Sequence, residues 1–332
     1  MVKISDILPE DTIKTLLNSN NKAIIYHTKK DLLNEKVEPT DYLWKLPEFE
    51  KIINKQQEDG TWKYNGMKMV PYPKHHYPLV ATLKKLMELD ERYNFNNNHS
   101  ACSKTAEFIF SVQTDEGDIR GMIGNQYATY YTGLFLYLLI KIGYEKDKRV
   151  EKGLEWLLSI RQDDGGWTIP ILTHEYDKAT QYNLTSQNVP PVKPDRTKPF
   201  SQNWTNMILQ AFASHKNYKE LKEVKKAADM LKSSFFKKDN YSSHHSKYNW
   251  VRFAFWWPNI LTALESLYKL GYTKEDKDIE IGLKWFLENQ QENGLWNISN
   301  EPNKKVTINK KTNENRLWLG LRICRLLKAY YE

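Results

Sequence analysis

The chain has 332 residues, 27% of them charged and 40% hydrophobic, the composition of an ordinary globular protein rather than a disordered one. Its formal net charge of +8 permits anionic partners, but the excess is dispersed along the sequence. The two cysteines, Cys102 and Cys324, are too few for a disulfide framework or a cysteine-based zinc cluster, which points to a reducing, cytoplasmic setting. No stretch approaches the roughly 18 apolar residues of a membrane span. The first residues, MVKISDILPE, carry acids and no apolar run, so they are not expected to be a secretory signal. The 11 Trp, 20 Tyr and 12 Phe call for a large core or a ring-lined cavity.

Taken in chain order, two kinds of helix alternate. Nearly all-apolar helices are predicted over 22–34, 75–90, 126–143, 201–215, 250–271 and 313–331, and helices apolar all round are buried. Amphipathic helices open the segments 49–62, 106–119, 153–167 and 282–296, and a further one covers 219–236. Within 153–167, Leu154, Leu157, Leu158 and Ile160 make the core-facing stripe. Strand signals are nearly absent. Six inner helices wrapped by five outer ones satisfy both patterns, so the expected fold is all-α, an α/α toroid closed as a single domain over 1–332. The stretch 168–200, with Pro170, Pro190, Pro191, Pro194 and Pro199, is placed as an insertion loop over one barrel end. Residues 216–238 hold eight lysines against three acids and are read as a solvated helix face.

The amphipathic segments repeat one another. FEKIINKQQEDGTW (49–62), GLEWLLSIRQDDGGW (153–167) and GLKWFLENQQENGLW (282–296) share a helix ending in Gln, two acids or amides, a Gly and a Trp. AEFIFSVQTDEGDI (106–119) is a weaker copy. The Gly suits a left-handed helix stop, the Gln amide can bond backbone groups left open there, and the Trp can plug the space between units. The Gln positions aligned by eye are 57, 113, 162 and 291, and a degenerate copy is expected between 162 and 291, at 219–236.

The Gln-x-x-Gly-x-Trp tail resembles the repeat of the squalene cyclase and protein prenyltransferase β-subunit superfamily, as a pattern over about residues 22–331 with three good copies. The resemblance implies an α/α toroid with a central cavity, of the kind seen in small single-domain prokaryotic members. The chemical signatures of that superfamily are not matched. Class II terpene cyclases use Asp-x-Asp-Asp, and the nearest strings, Gln162-Asp163-Asp164 and Asp276-Lys277-Asp278-Ile279, do not fit. Prenyltransferases hold zinc with Asp, Cys and His, whereas Cys324 has no such company in sequence, and the Cys-Gly-Glu-Gln thioester motif is absent. No metal and no cofactor are expected.

Candidate residues stand at the starts of the inner helices, which would face one cavity mouth. The catalytic candidates are His75, His76, Tyr127 and Glu314. The ligand-binding candidates are Tyr77, Tyr130, Asn203, Trp204, Trp250, Arg252, Trp256, Arg316 and Trp318. Rings mixed with a few polar groups are how small-molecule sites are built. Glu314 is a possible partner for Arg316, which on an inner helix needs a carboxylate, water or anionic ligand. His244 and His245 are given no role. The expected function is to bind or transform an apolar ligand, with isoprenoids among the candidates, or an anionic one in the central cavity, as a cyclase- or prenyltransferase-like transferase or isomerase if it is an enzyme. Two alternatives stay open: a non-catalytic scaffold for a protein partner, and an acidic-glycan lyase or hydrolase using His, Tyr and Arg. Nucleic acid is not an expected partner.

Overall fold

The computed structural model describes residues 10–70, 72–241, 247–253, 256–301 and 306–332. His244 and His245 lie outside them. In chain order the α-helices are α1 Glu10–Leu17, α2 Lys22–His27, α3 Asp41–Trp44, α4 Pro47–Ile53, α5 His76–Tyr93, α6 Ser100–Ser111 and α7 Thr129–Leu139. They continue with α8 Lys148–Ser159, α9 Lys178–Ser186, α10 Gln202–Ser214, α11 Lys222–Lys232, α12 Ile260–Lys269, α13 Lys277–Glu288 and α14 Lys310–Tyr331. Among the described residues there is no β-strand, only isolated bridges. The chain is all-α and built from the α/α repeats of which toroids are made. No helix of the described residues is long and apolar enough to cross a membrane. All eleven expected helices are present, and α1, α3 and α9 are additional to them.

The expected helix over 250–271 is shorter than its apolar pattern suggested. Lys247–Val251 form a 3₁₀ turn, and α12 starts only at Ile260. Pro258 disfavours helix at the residue before it. Asn259 then caps α12, its side chain accepting from Leu261 N at 3.0 Å and Thr262 N at 3.2 Å while Thr262 Oγ1 accepts from Asn259 N at 3.0 Å. Trp250, Arg252 and Trp256 therefore precede the helix rather than start it.

The chain forms two compact units, Leu43–Ala228 and the combination of Met1–Tyr42 with Asp229–Glu332. In the Leu43–Ala228 unit, α7 is apolar all round and lies against α10. Gly133 makes that approach possible, because a Cβ there would sit 2.8 Å from Ile208 Cα. α8 packs on α7 with Gly153 against Leu136, where a Cβ would come within 2.8 Å of the leucine side chain, and its Val150, Leu154 and Leu157 are fully buried. In the other unit α14 packs on α12, α1 and α2. Its Lys328 Nζ donates to the carbonyls of Asp31 at 2.9 Å and Leu32 at 3.2 Å, satisfying the end of the π-helical turn that continues α2.

Four copies of one turn follow α4, α6, α8 and α13. The N–H of Gln57, Thr114, Gln162 and Gln291 donates to the carbonyl four residues on, at 2.8, 2.8, 2.9 and 2.9 Å. The third residue after each donor, Gly60, Gly117, Gly165 and Gly294, has a positive φ. The indole N–H of Trp62, Trp167 and Trp296 reaches back to the carbonyl of Ile52, Leu157 and Phe286, at 2.9, 2.7 and 2.7 Å. Ile119 takes the Trp position in the weak copy and is fully buried. The register read by eye is off by one there, since the turn donor is Thr114 and not Gln113.

The amide that ties each tail down comes one residue earlier than the turn in three copies. Gln56 Nε2 donates to Ala101 O at 3.0 Å, Gln113 Nε2 to Arg149 O at 2.8 Å and Gln290 Nε2 to Thr12 Oγ1 at 2.8 Å. Each partner lies in the first turn of another outer helix, α6, α8 and α1 respectively. In the 162 copy Arg161 stands in that place, and Gln162 itself donates to Asp195 O and Lys198 O at 2.8 and 2.9 Å. Its partner is the Pro-rich segment. The Gln amides thus join neighbouring repeats as well as finishing their own helix. The tail-less copy expected at 219–236 is α11, with Val224, Ala227, Ala228 and Leu231 fully buried and Lys222 and Lys226 exposed.

Candidate functional site

In the Leu43–Ala228 unit, residues 119–126 run from the second repeat tail into α7, and two other segments meet them. His75 and His76, at the start of α5, face the backbone of this run. His75 Nε2 donates to Arg120 O at 3.3 Å and His76 Nδ1 donates to Gly121 O at 2.9 Å. A carbonyl only accepts, so these bonds place a proton on Nε2 of His75 and on Nδ1 of His76. Burial pushes His75 below the usual imidazole range, which favours its neutral form. The hydroxyl of Tyr77, one residue on, accepts from the backbone N–H of Met69 and, at 2.7 Å, of Val70.

The 168–200 segment closes over the same run. It contains a 3₁₀ turn at Pro170–Thr173 and the helix α9, not a bare loop. Gln126, fully buried, donates from Nε2 to Pro190 O at 3.3 Å and accepts on Oε1 from Val192 N at 2.8 Å. Asn125 Nδ2 adds a bond to Val189 O at 2.9 Å. Residues 189–193 are thereby strapped to the start of α7.

Tyr127 sits beneath this strap. Its hydroxyl donates to Glu116 Oε2 at 2.8 Å and accepts from Lys193 Nζ at 2.5 Å. The ring lies between the Arg120 guanidinium and the Lys193 ammonium, each 4.9 Å from its centroid. Burial, with Glu116 alongside, pushes the phenol above its ordinary range, so Tyr127 is protonated at neutral pH. Burial opposes ionisation of Glu116, but bonds from Tyr127, Lys193 and Arg120 outweigh it and hold the carboxyl below the usual range. This is an ion-paired latch, and a poor arrangement for a tyrosinate base. Sequence reasoning missed Glu116 and Lys193. The signal was there: Asp59, Asp164 and Asn293 occupy the matching turn position and cap their own turns, at 3.0, 3.0 and 3.2 Å. Only Glu116 is long enough to reach outward.

The first turns of α7 and α10 bring rings together. Tyr130 lies 4.2 Å from Tyr131 and 4.3 Å from Trp204, centroid to centroid. Tyr130 and Trp204 are each 9% exposed. Tyr131 keeps more accessible surface, yet burial still pushes its phenol above the ordinary range. Beside these rings α10 carries an unusual set of buried polar side chains, Gln202, Asn203, Thr205 and Asn206. Thr205 is accounted for, accepting from Trp167 N at 2.9 Å. Asn203 and Asn206 are three apart and share a helix face. Asn206 lies one turn beyond the helix-start residues singled out from sequence.

The remaining candidates belong to the other unit. Arg316 is 2% exposed and donates from Nε to Trp296 O at 3.2 Å and from Nη2 to Gln291 Oε1 and, at 3.4 Å, Asn293 Oδ1. Thr132 in α7 and Thr205 in α10 bond the matching tail residues, Ile119 and Trp167. Arg316 thus donates to the carbonyl of the fourth tail as Thr132 and Thr205 donate to those of Ile119 and Trp167, at 3.4 and 3.2 Å, but unlike them it cannot accept from the tail N–H. Among the described residues no carboxylate pairs with it, and burial alone pushes it below the usual guanidinium range. Glu314 accepts instead from Asn21 Nδ2, at 3.3 Å. Arg252 is half-exposed, with Glu301 at 4.0 Å. Trp250 donates to Lys237 O at 2.8 Å, Trp256 packs edge-on to Trp257, and Trp318 packs edge-on to His27. Among the described residues no group of His, Cys, Asp and Glu could hold a metal ion.

Residues 77–188 match the family model of the squalene-hopene cyclase C-terminal domain, a stretch that runs from the first turn of α5 through α9 and ends just before the strap. Over those residues, about a third of the chain, it is similar to terpenoid cyclases. The type II terpene cyclase MstE from Scytonema, as a single-residue variant in complex with geranylgeranyl dihydroxybenzoate, is 12% identical with a TM-score of 0.37, over 97% of this chain and 99% of that one. Apo MstE is 14% identical with a TM-score of 0.33, over 84% and 95%. A protein from Actinoplanes is 12% identical with a TM-score of 0.32, over 85% and 96%. No curated protein matches.

Proposed function

We propose that the Leu43–Ala228 unit holds an apolar, isoprenoid-type ligand against the ring wall Tyr131–Tyr130–Trp204. The observation that carries this reading is the run of three rings on the first turns of α7 and α10, Tyr130 lying 4.2 Å from Tyr131 on one side and 4.3 Å from Trp204 on the other. Flat π-faces give an isoprenoid chain a large apolar contact without demanding hydrogen bonds, and they also favour any positive charge placed over them. Asn203 supplies the polar end that fixes orientation. The family match over 77–188 supports a ligand of the kind squalene-hopene cyclases handle.

The reading is one of binding. The sequence has no Asp-x-Asp-Asp acid to start a cyclisation by protonation, and the Tyr127 hydroxyl is committed to Glu116 and Lys193. His75, which burial holds below the usual imidazole range, bonds a carbonyl through Nε2 and keeps Nδ1 as its second ring nitrogen.

Titration with geranylgeraniol, followed by quenching of intrinsic tryptophan fluorescence, tests this. Saturable binding is expected, weakened about tenfold or more in Trp204→Ala by loss of a stacked ring. Equal affinity in wild type, Trp204→Ala and Tyr131→Ala would remove the ring wall from the account.

A further inference from the structure

The segment between the first repeat tail and α5 has features that neither the repeat nor the ring wall uses. Met67 and Met69 are 80% and 77% exposed, the most exposed large hydrophobic side chains among the described residues. From Gly60 to Met87 the sequence contains no Asp or Glu, but it holds Lys63, Lys68, Lys74, Lys84 and Lys85. Lys63, Lys68 and Lys74 are exposed, and among the described residues none of the three is ion-paired. The flanking acids are engaged elsewhere: Asp59 accepts from Thr61 N at 3.0 Å, and Glu88 pairs with Lys85 at 2.8 Å and Arg92 at 3.2 Å.

The loop is also braced. Tyr77 accepts from the N–H groups of Met69 and Val70. The Tyr64 ring stacks 4.7 Å from Tyr77, and Lys68 and Lys84 lie over Tyr77 and Tyr64 at 5.9 and 6.0 Å. Gly66 lets the chain fold over Tyr64, since a Cβ there would come within 2.7 Å of that ring. The methionines are therefore presented outward by a fixed backbone.

We propose that residues 63–70 together with Lys74 dock the protein on an anionic lipid surface, with Met67 and Met69 entering the headgroup–acyl boundary and Lys63, Lys68 and Lys74 lying at the phosphates. Apolar side chains beside exposed cations with no ion pair among the described residues, in a stretch of sequence without an acid, match an anionic bilayer on both counts. A purely electrostatic partner would leave the methionines without a purpose. This inference does not depend on the ligand of the ring wall.

The test is co-sedimentation of the full chain with phosphatidylcholine vesicles containing phosphatidylglycerol, and with phosphatidylcholine alone. Wild type is expected to pellet with the anionic vesicles only. The triple variant Lys63→Ser/Lys68→Ser/Lys74→Ser is expected to lose binding about tenfold or more. Met67→Ser/Met69→Ser should weaken it with charge unchanged, and Lys222→Ser/Lys226→Ser on α11 should leave it intact. Unaltered thermal unfolding of each variant shows that it folds. The proposal is overturned if wild type stays in the supernatant, if the α11 variant loses as much as the loop variant, or if the methionine pair is without effect. A concentration-dependent dimer abolished by Met67→Ser/Met69→Ser, without vesicle binding, would instead assign the loop to a second copy of the chain.

Discussion

At the scale of single residues, the tryptophans of the repeat tails do two jobs at once. Trp167 and Trp296 are fully buried, and each indole N–H satisfies a carbonyl of its own helix. Replacing Trp167 by Ala is expected to cost about 3–5 kcal/mol, read from denaturant unfolding. A loss under about 1 kcal/mol would contradict its role as a packed strut. Asp31 is the clearest electrostatic case. Burial opposes its ionisation, but the bond from His27 and the charge of Arg325 outweigh it and hold the carboxyl at about 2. A carboxyl depressed on folding stabilises above its unfolded range, near 4, and that stability is lost as pH falls toward 2. Asp31→Asn should therefore flatten the decline in unfolding midpoint between pH 4 and 2, and parallel pH profiles would rule out the linkage. Arg316 shows where residue-level reading from sequence misled. An arginine among apolar residues suggests an anion, yet three neutral acceptors around the fourth tail take its donors. Nothing in the local sequence distinguishes that role, because the matching residues are threonines.

At the scale of elements, most of the helices were legible. The 3.6-residue periodicity and the repeated Gln-x-x-Gly-x-Trp tails placed the inner and outer helices within a few residues, because burial dictates both patterns. The exception at 250–259 follows from Pro258 and the Asn259 cap, which override an apolar run. The helix α9 and the strap were not legible, since their order comes from long-range bonds. Gln126 is the centre of those bonds, with one amide contacting Pro190 and Val192. Gln126→Ala should speed hydrogen exchange at Val192 about tenfold, as a net hydrogen bond is worth on the order of 1 kcal/mol and its unpaired partner costs more. Unchanged exchange there would mean that Asn125 and Lys193 hold the strap by themselves.

At the scale of the whole molecule, the sequence carries architecture more plainly than chemistry. Repeats are written redundantly, so three good copies outweigh one poor one. A site is written once and draws on residues far apart in sequence, such as Tyr130 with Trp204 or Glu116 with Lys193. The candidates at helix starts divide accordingly. Tyr130, Asn203 and Trp204 stand with the ring wall, His75 and His76 with the 119–126 run, and Trp250, Arg252, Trp256, Glu314, Arg316 and Trp318 in the other unit. Native mass spectrometry of the protein as purified, followed by organic extraction, tests the central claim most directly. The account predicts a bound isoprenoid or other lipid mass in wild type that is lost or strongly reduced in Trp204→Ala. A ligand-free mass for wild type that stays unchanged after incubation with geranylgeraniol would contradict it.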